Sequence, residues 1–200
     1  VIKIKAVCII GSPRNNGSTA LVVDKIIKGM EEAGVVVRRY VLGYLNINYC
    51  EGCNYCYSMR KCKQHDDMNA IFEDLLESDV VLVASPSYWG DVTGQLKVFF
   101  DRSTPYCDTG EGGNIVPEGK YGISVAIRAG QRKNETNHII DTIEHYFGHL
   151  NIKPIERFTM ENIHDLGNFE GREDELKQAY AIGFNIKKAI ERNMIKGKII

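Results

Sequence analysis

Residues 80–84 read Val-Val-Leu-Val-Ala, apolar at every position, too short for a helix and followed at once by Ser-Pro-Ser. A strand without polar alternation has no face to give to water, so it requires a sheet covered on both sides. Residues 3–10 alternate and then run apolar into Gly11, and further strands are expected at 35–41, 121–127 and 152–160, the last carrying Pro154 and therefore suited to an edge. Helical stripes lie between them. Val22, Val23, Ile26, Ile27 and Met30 precede the stop at Gly34, and Met68, Ile71, Phe72, Leu75 and Leu76 follow the caps Asp66 and Asp67. A helix is expected over 94–102, another along Ile139, Ile140, Ile143, Phe147 and Leu150, and a last one at about 171–194 along Leu176, Tyr180, Ile186 and Ile190. Right-handed crossovers then favour an α/β doubly wound five-stranded parallel sheet of order 2-1-3-4-5, with helices on both faces. Ligands of such sheets bind where the strand order reverses, which singles out the turns at 11–19, 85–93 and 128–134.

The 200 residues, 44% hydrophobic, suffice for one core, so residues 1–200 are expected to form a single domain. With 25 basic and 26 acidic residues the chain has no electrostatic footprint for nucleic acid and no polybasic membrane anchor. No apolar run has the length of a membrane span or a secretory core, which leads us to expect a cytoplasmic protein. The glycosylation sequons at 16–18 and 134–136 then carry no weight.

Residues 11–19, Gly-Ser-Pro-Arg-Asn-Asn-Gly-Ser-Thr, lie between a strand and a helix. Backbone N–H groups, the hydroxyls of Ser12, Ser18 and Thr19 and the Arg14 guanidinium would gather there at a positive helix end. A Walker loop needs Lys before the Ser/Thr, and a dinucleotide fingerprint needs GxGxxG; neither is present. A terminal monoester such as the phosphate of FMN fits better than a triphosphate, with an unliganded polar turn as the alternative. Past the third strand, Ser85 to Gly90 offers Tyr88 and Trp89 for stacking on a flat ring. The same pair can serve as core or interface aromatics; the position after strand three favours the ring site.

Together, GSPRNNGST and SPSYWGDVTGQLKVFFDR resemble the NADPH-dependent FMN reductase family of the flavodoxin superfamily, over about residues 1–165. The resemblance implies a flavodoxin-like fold with Ser12, Arg14, Asn16, Gly17, Ser18 and Thr19 on the FMN phosphate. It places Pro86, Ser87, Tyr88, Trp89 and Gly90 along the isoalloxazine, and Arg128 and Gly130 on its pyrimidine side. The loop after strand four is less glycine-rich than the family's and carries Arg132 and Lys133, basic residues suited to NAD(P)H. Asp101-Arg102 reads as a helix-terminal ion pair and stays outside the site.

The long segment 42–65 carries Cys50, Cys53, Cys56 and Cys62, spaced CxxCxxCx5C. Thiolates three residues apart wrap a cubane more readily than one tetrahedral ion, which favours a [4Fe-4S] cluster. Zinc, and thiols or disulfides without metal, remain open. Cys8 reads as core and Cys107 as a loop residue. His145 and His149 are four apart but lack the HExxH glutamate, His65 reads as flanking the helix cap, and His138 and His164 show no partner.

A compact cysteine motif after strand two resembles the iron–sulfur flavoproteins of anaerobic microbes. That resemblance implies one [4Fe-4S] cluster and one FMN per chain, a homodimer or homotetramer, and ferredoxin as an outside partner. The expected function is a flavin-dependent oxidoreductase passing electrons between cluster and FMN to a small-molecule acceptor such as oxygen, peroxide or a quinone, with no side chain needed as acid or base. The alternatives are an NAD(P)H-dependent FMN or quinone reductase without a cluster, and a non-enzymatic flavin-binding or zinc-stabilised regulatory module.

Overall fold

In chain order the computed structural model contains β1 (Lys5–Ile10), α1 (Ser18–Glu32), β2 (Val36–Val41), α2 (Tyr55–Met59), α3 (Met68–Glu77), β3 (Val80–Pro86), α4 (Gly94–Arg102), β4 (Lys120–Ile127), α5 (Glu135–His149), β5 (Ile152–Met160), α6 (Glu173–Phe184) and α7 (Ile186–Lys196). It describes residues 3–108, 112–132 and 134–196. The strands form one parallel sheet of order β2-β1-β3-β4-β5, as expected.

Alternate residues of each inner strand feed two cores, which is why β1 and β3 read as nearly unbroken apolar runs. Cys8, Ile10, Leu82, Ala84, Ile123 and Val125 face Val23, Ile26 and Met30 of α1 together with Ala179 and Ile186 of the C-terminal helices. On the opposite face Val7, Ile9, Val81 and Val83 meet Ile71 and Phe72 of α3, Leu96 and Phe99 of α4, and Ile139, Ile143 and Phe147 of α5. Pro154 does lie on an edge strand. Gly122 pairs with Pro154 and Ile123 with Glu156, so Ile155 is the extra residue of a bulge beside the missing N–H.

The structure corrects several local expectations. Segment 42–65 is not wholly irregular, since it holds a 3₁₀ turn at Leu42–Tyr44 and the short α2. The Asp67 carboxylate does not cap α3; it accepts the backbone N–H of Asn46 at 2.7 Å instead. The single helix expected at about 171–194 is divided into α6 and α7 at Asn185, whose side chain donates to the Ala181 carbonyl at 2.9 Å.

Tyr180 is also not the buried contact of α6; Ala179 and Gly183 are. The small residues are selected by how closely α6 approaches α1. A Cβ on Gly183 would collide with the Ile26 carbonyl, and one on Gly29 with the Tyr180 carbonyl. Backbone cannot yield as a side-chain tip can, so we expect Gly183→Val to lower stability by about 1–3 kcal/mol or more. The readout is a lower urea midpoint at unchanged slope. Gly148, inside α5 with nothing within 4 Å of a built Cβ, is the control. There Ala should raise stability by about 0.4–1 kcal/mol, seen as a higher urea midpoint.

Candidate functional site

The turn after β1 and the turn after β3 are bolted together by one fully buried threonine. Thr93 Oγ1 donates to the Gly11 carbonyl at 2.6 Å and accepts the Leu96 N–H at 3.2 Å as the cap of α4, while its own N–H donates to Ser85 Oγ at 3.1 Å. Gly11 in turn donates to the Ala84 carbonyl at 2.8 Å. Beyond Gly11, Ser12 is buried and its Oγ accepts the Arg14 N–H at 3.2 Å. Arg14 and Asn16 lie exposed on the rim, and Gly17, Ser18 and Thr19 are buried at the start of α1. Gly17 is the N-cap, no side chain caps the helix, and its first turn carries no acid. A helix start so arranged leaves its N–H groups and partial positive charge available to an anion. Arg39, which the sequence reading missed, braces the turn from β2. It donates to Asn15 Oδ1 at 2.8 Å and pairs with Asp24 at 2.7 Å. The donor set fits a terminal phosphate.

Ser87 continues the β3 pairing by donating to the Ile127 carbonyl at 2.8 Å. Tyr88 and Asp91 then exchange backbone hydrogen bonds of 2.9 and 3.1 Å across a two-residue turn. Both turn residues are left-handed, Trp89 at φ 57° and Gly90 at φ 82°. Glycine suits a type I′ turn, whereas a bulky residue there is strained and persists only where its surroundings impose it. Neither aromatic is core: Tyr88 is 43% exposed and Trp89 completely so. They stand at the carboxyl end of β3 as free apolar surface. Pro86 and Ser87 are half-buried beneath them.

Behind this turn Glu135 Oε2 gathers two groups, and its side chain backs Gly90. It accepts Ser87 Oγ at 3.4 Å, pairs with Arg128 Nε at 2.9 Å, and Glu135 Cγ and Cδ lie 3.6 Å from a Cβ built on Gly90. Arg128 is itself buried and also donates to the Arg132 carbonyl, so its guanidinium is committed to its own loop. Gly130 gives that guanidinium room, since a Cβ there would sit 3.0 Å from Arg128 Nη2. Lys133 lies outside the described residues.

Cys50, Cys53, Cys56 and Cys62 line one cavity of about 130 Å³, together with Gln64, Arg102, Thr104 and Pro105. All four are free thiols. Gly52, Asn54 and Arg60 are left-handed, which curls the chain around the short α2. Among the described residues no three His, Cys, Asp or Glu side chains converge on a point that one metal ion could occupy. The four thiols thus surround a space rather than a single centre. Burial pushes the Cys56 thiol up, and charge on Cys50, Cys62 and Cys53 adds to the shift.

At the base of this cavity is an ion pair that the sequence reading assigned wrongly. Asp101 pairs with Lys97 at 2.5 Å, not with Arg102. Arg102 reaches Asp66 instead, through Nη1 at 2.6 Å and Nη2 at 3.1 Å, and Nη1 also donates to the Asn48 carbonyl at 2.7 Å and to Gln64 Oε1 at 3.0 Å. Both side chains are buried, at 1% and 0% exposure. Asp66 further accepts the N–H groups of Asn48 at 3.1 Å and Met68 at 3.2 Å. Among the described residues two buried side-chain nitrogens lack a partner, Arg60 Nη1 and Arg102 Nε, and both belong to arginines of this region. Four thiols and an unanswered cationic donor are a donor set that fits an anionic iron–sulfur cluster. A further contact unseen in the sequence joins His149 Nδ1 to Asp108 at 2.8 Å and His149 Nε2 to His145 Nε2 at 3.2 Å.

The NADPH-dependent FMN reductase family profile matches residues 4–165. An iron-sulfur flavoprotein of Archaeoglobus fulgidus is 40% identical over 131 residues, covering 66% of this chain and 57% of that protein. Another, from Methanocaldococcus jannaschii, is 38% identical over 101 residues, covering 50% and 52%. The chain therefore spans little more than half the length of these relatives. An NAD(P)H:quinone oxidoreductase from Methanothermobacter marburgensis superposes with a TM-score of 0.73 over 93% of this chain and 98% of that one. At 14% identity that likeness shows the fold alone.

Removing one partner of a buried pair strands the other charge, so Asp66→Ala should cost about 3–5 kcal/mol in urea unfolding at neutral pH. Burial by itself would raise the Asp66 carboxyl, but hydrogen bonds from Arg102, Asn48 and Met68 outweigh it and hold the pKa below the ordinary carboxylate value. A carboxylate depressed by folding contributes stability that is complete above its unfolded pKa, about 3.9. That contribution is lost as pH falls through the lower folded value. Asp66→Asn should accordingly lose less stability than the wild type over that acid limb, measured as urea midpoints down the pH scale.

Proposed function

The chain belongs to the NADPH-dependent FMN reductase family, and from that membership we propose that it is a flavin-dependent oxidoreductase exchanging electrons between FMN and a [4Fe-4S] cluster. One observation supports both halves of this reading. The nine-residue α4 carries Thr93, which knits the phosphate turn to the aromatic turn, at one end and Arg102, which lines the cysteine cavity, at the other. At 1.5 Å per residue Thr93 and Arg102 are about 13 Å apart along that helix.

In this reading the first turn of α1, with Ser12, Arg14, Asn16, Gly17, Ser18 and Thr19, grips the FMN phosphate. The backbone of 86–90 and the rings of Tyr88 and Trp89 orient the isoalloxazine, with Gly130 beside its pyrimidine edge and Arg128 acting through Glu135 to hold the turn. Cys50, Cys53, Cys56 and Cys62 hold the cluster. Bound FMN supplies two-electron and one-electron redox chemistry, and the cluster supplies single-electron transfer. No side chain is required as acid or base. Ferredoxin or NAD(P)H serves as donor and a small molecule such as oxygen, peroxide or a quinone as acceptor. The fully exposed Trp89 supports assembly as a homodimer or homotetramer, in which a neighbouring copy shields it from water.

Flavin fluorescence titration tests the phosphate grip. FMN should bind saturably and riboflavin at least about tenfold more weakly, because charged hydrogen bonds of roughly 1.5–3 kcal/mol are lost with the phosphate. Equal affinity, or no binding of FMN, would sink the assignment. Anaerobic reconstitution tests the cluster: about four irons per chain are expected from the four-thiolate set. Flavin retained without iron would leave the cluster-free NAD(P)H-dependent reductase, recognisable by rapid bleaching of the flavin with NADPH.

A further inference from the structure

An arginine brings five N–H donors, and in a closed interior each one left unmet is costly. The two terminal nitrogens of Arg102 are answered by Asp66, Asn48 and Gln64, whereas Nε is buried without an acceptor. Its side chain is 1% exposed, and it lines the cavity of the four cysteines. Of the four thiols, Cys62 lies close enough for both its charge and a hydrogen-bond interaction to act on the guanidinium, so the acceptor side of the cavity is the one that carries Cys62. A buried cation can be matched by one buried anion, and Asp66 already does that, so the spare donor is not explained by the ion pair. An acceptor within the cavity explains it.

We propose that Arg102 donates its Nε–H to sulfur of the centre held by Cys50, Cys53, Cys56 and Cys62, and that the Arg102–Asp66 pair sets how readily that centre accepts an electron. The inference rests on the cluster assignment above and assigns a role to two residues outside the cysteine motif. Its physical content is the order of charges: the cation lines the cavity and the carboxylate stands behind it. A positive charge and a hydrogen bond beside sulfur favour the reduced state, so losing them lowers the reduction potential. Neutralising Asp66 leaves the cation less compensated and should raise it.

The test is an EPR-monitored redox titration of the anaerobically loaded protein, with iron content measured in parallel. Arg102→Gln should move the midpoint of the cluster signal down, Asp66→Asn should move it up, and Arg102→Lys, which keeps the charge but not the Nε–H, should fall between Arg102→Gln and wild type. Opposite shifts separate this role from mere loosening of the loop, which would move both variants the same way or only lower their iron content. If Arg102→Gln does not fold, Asp66→Asn alone decides by the sign of its shift. Loaded variants that titrate with the wild-type midpoint overturn the inference while leaving the cluster standing. A wild type that takes up no iron removes the cluster assignment and this inference together.

Discussion

Two opposite charges with almost no exposed surface, Arg102 and Asp66, meet at the junction of three segments that are far apart in the chain. Taking such groups out of water costs several kcal/mol for each ion, and their attraction offsets it only when the remaining donors and acceptors are also met. Asp66 meets this condition through the amides of Asn48 and Met68 as well as the guanidinium. The bonds therefore do more than neutralise charge. They pin the entrance of the cysteine loop at Asn48, its exit at Gln64 and the start of α3 to the last turn of α4. Without that knot, a loop with a five-residue helix as its longest regular piece would have no reason to bring four thiols around one space.

The far end of α4 is tied just as firmly. Thr93 uses its hydroxyl both as donor to Gly11 and as acceptor from Leu96, so one side chain joins the β1 turn, the β3 turn and a helix start. These are the turns on either side of the point where the strand order reverses, the usual ligand crevice of an open parallel sheet. Leu96 and Phe99, buried between the two knots, seat α4 on the sheet through the same core that receives α3 and α5. The relative placement of the two sites is thus a property of a packed helix rather than of loops. The aromatic turn, with its exposed tryptophan in a left-handed conformation, is closed by two backbone hydrogen bonds between Tyr88 and Asp91 and backed by Glu135 through Ser87.

Much of this was legible in the residues. Uninterrupted apolar strands imply a doubly covered sheet and the helical stripes mark the layers, because each of these signals is carried by neighbours a few residues apart. The cysteine spacing likewise announces a shared site, since short separations along a chain bound distances in space. By itself, then, the sequence determined the sheet order and placed the four cysteines in one short segment, whose thiols line a single cavity.

Only tertiary structure decided which charges would meet and which apolar rings would stay uncovered. Arg102 passes over its neighbour Asp101 for a carboxylate 36 positions earlier, Arg39 braces a turn 24 positions away, and Gly183 rather than Tyr180 seats α6 on α1. Such pairings leave no period or motif, because they depend on which surfaces the packed sheet brings within a few ångströms of one another. An arginine beside an aspartate looks the same in a sequence whether the two pair or point apart; burial at the end of a helix, against the Asp66 carboxylate and the oxygens of Asn48 and Gln64, made the choice.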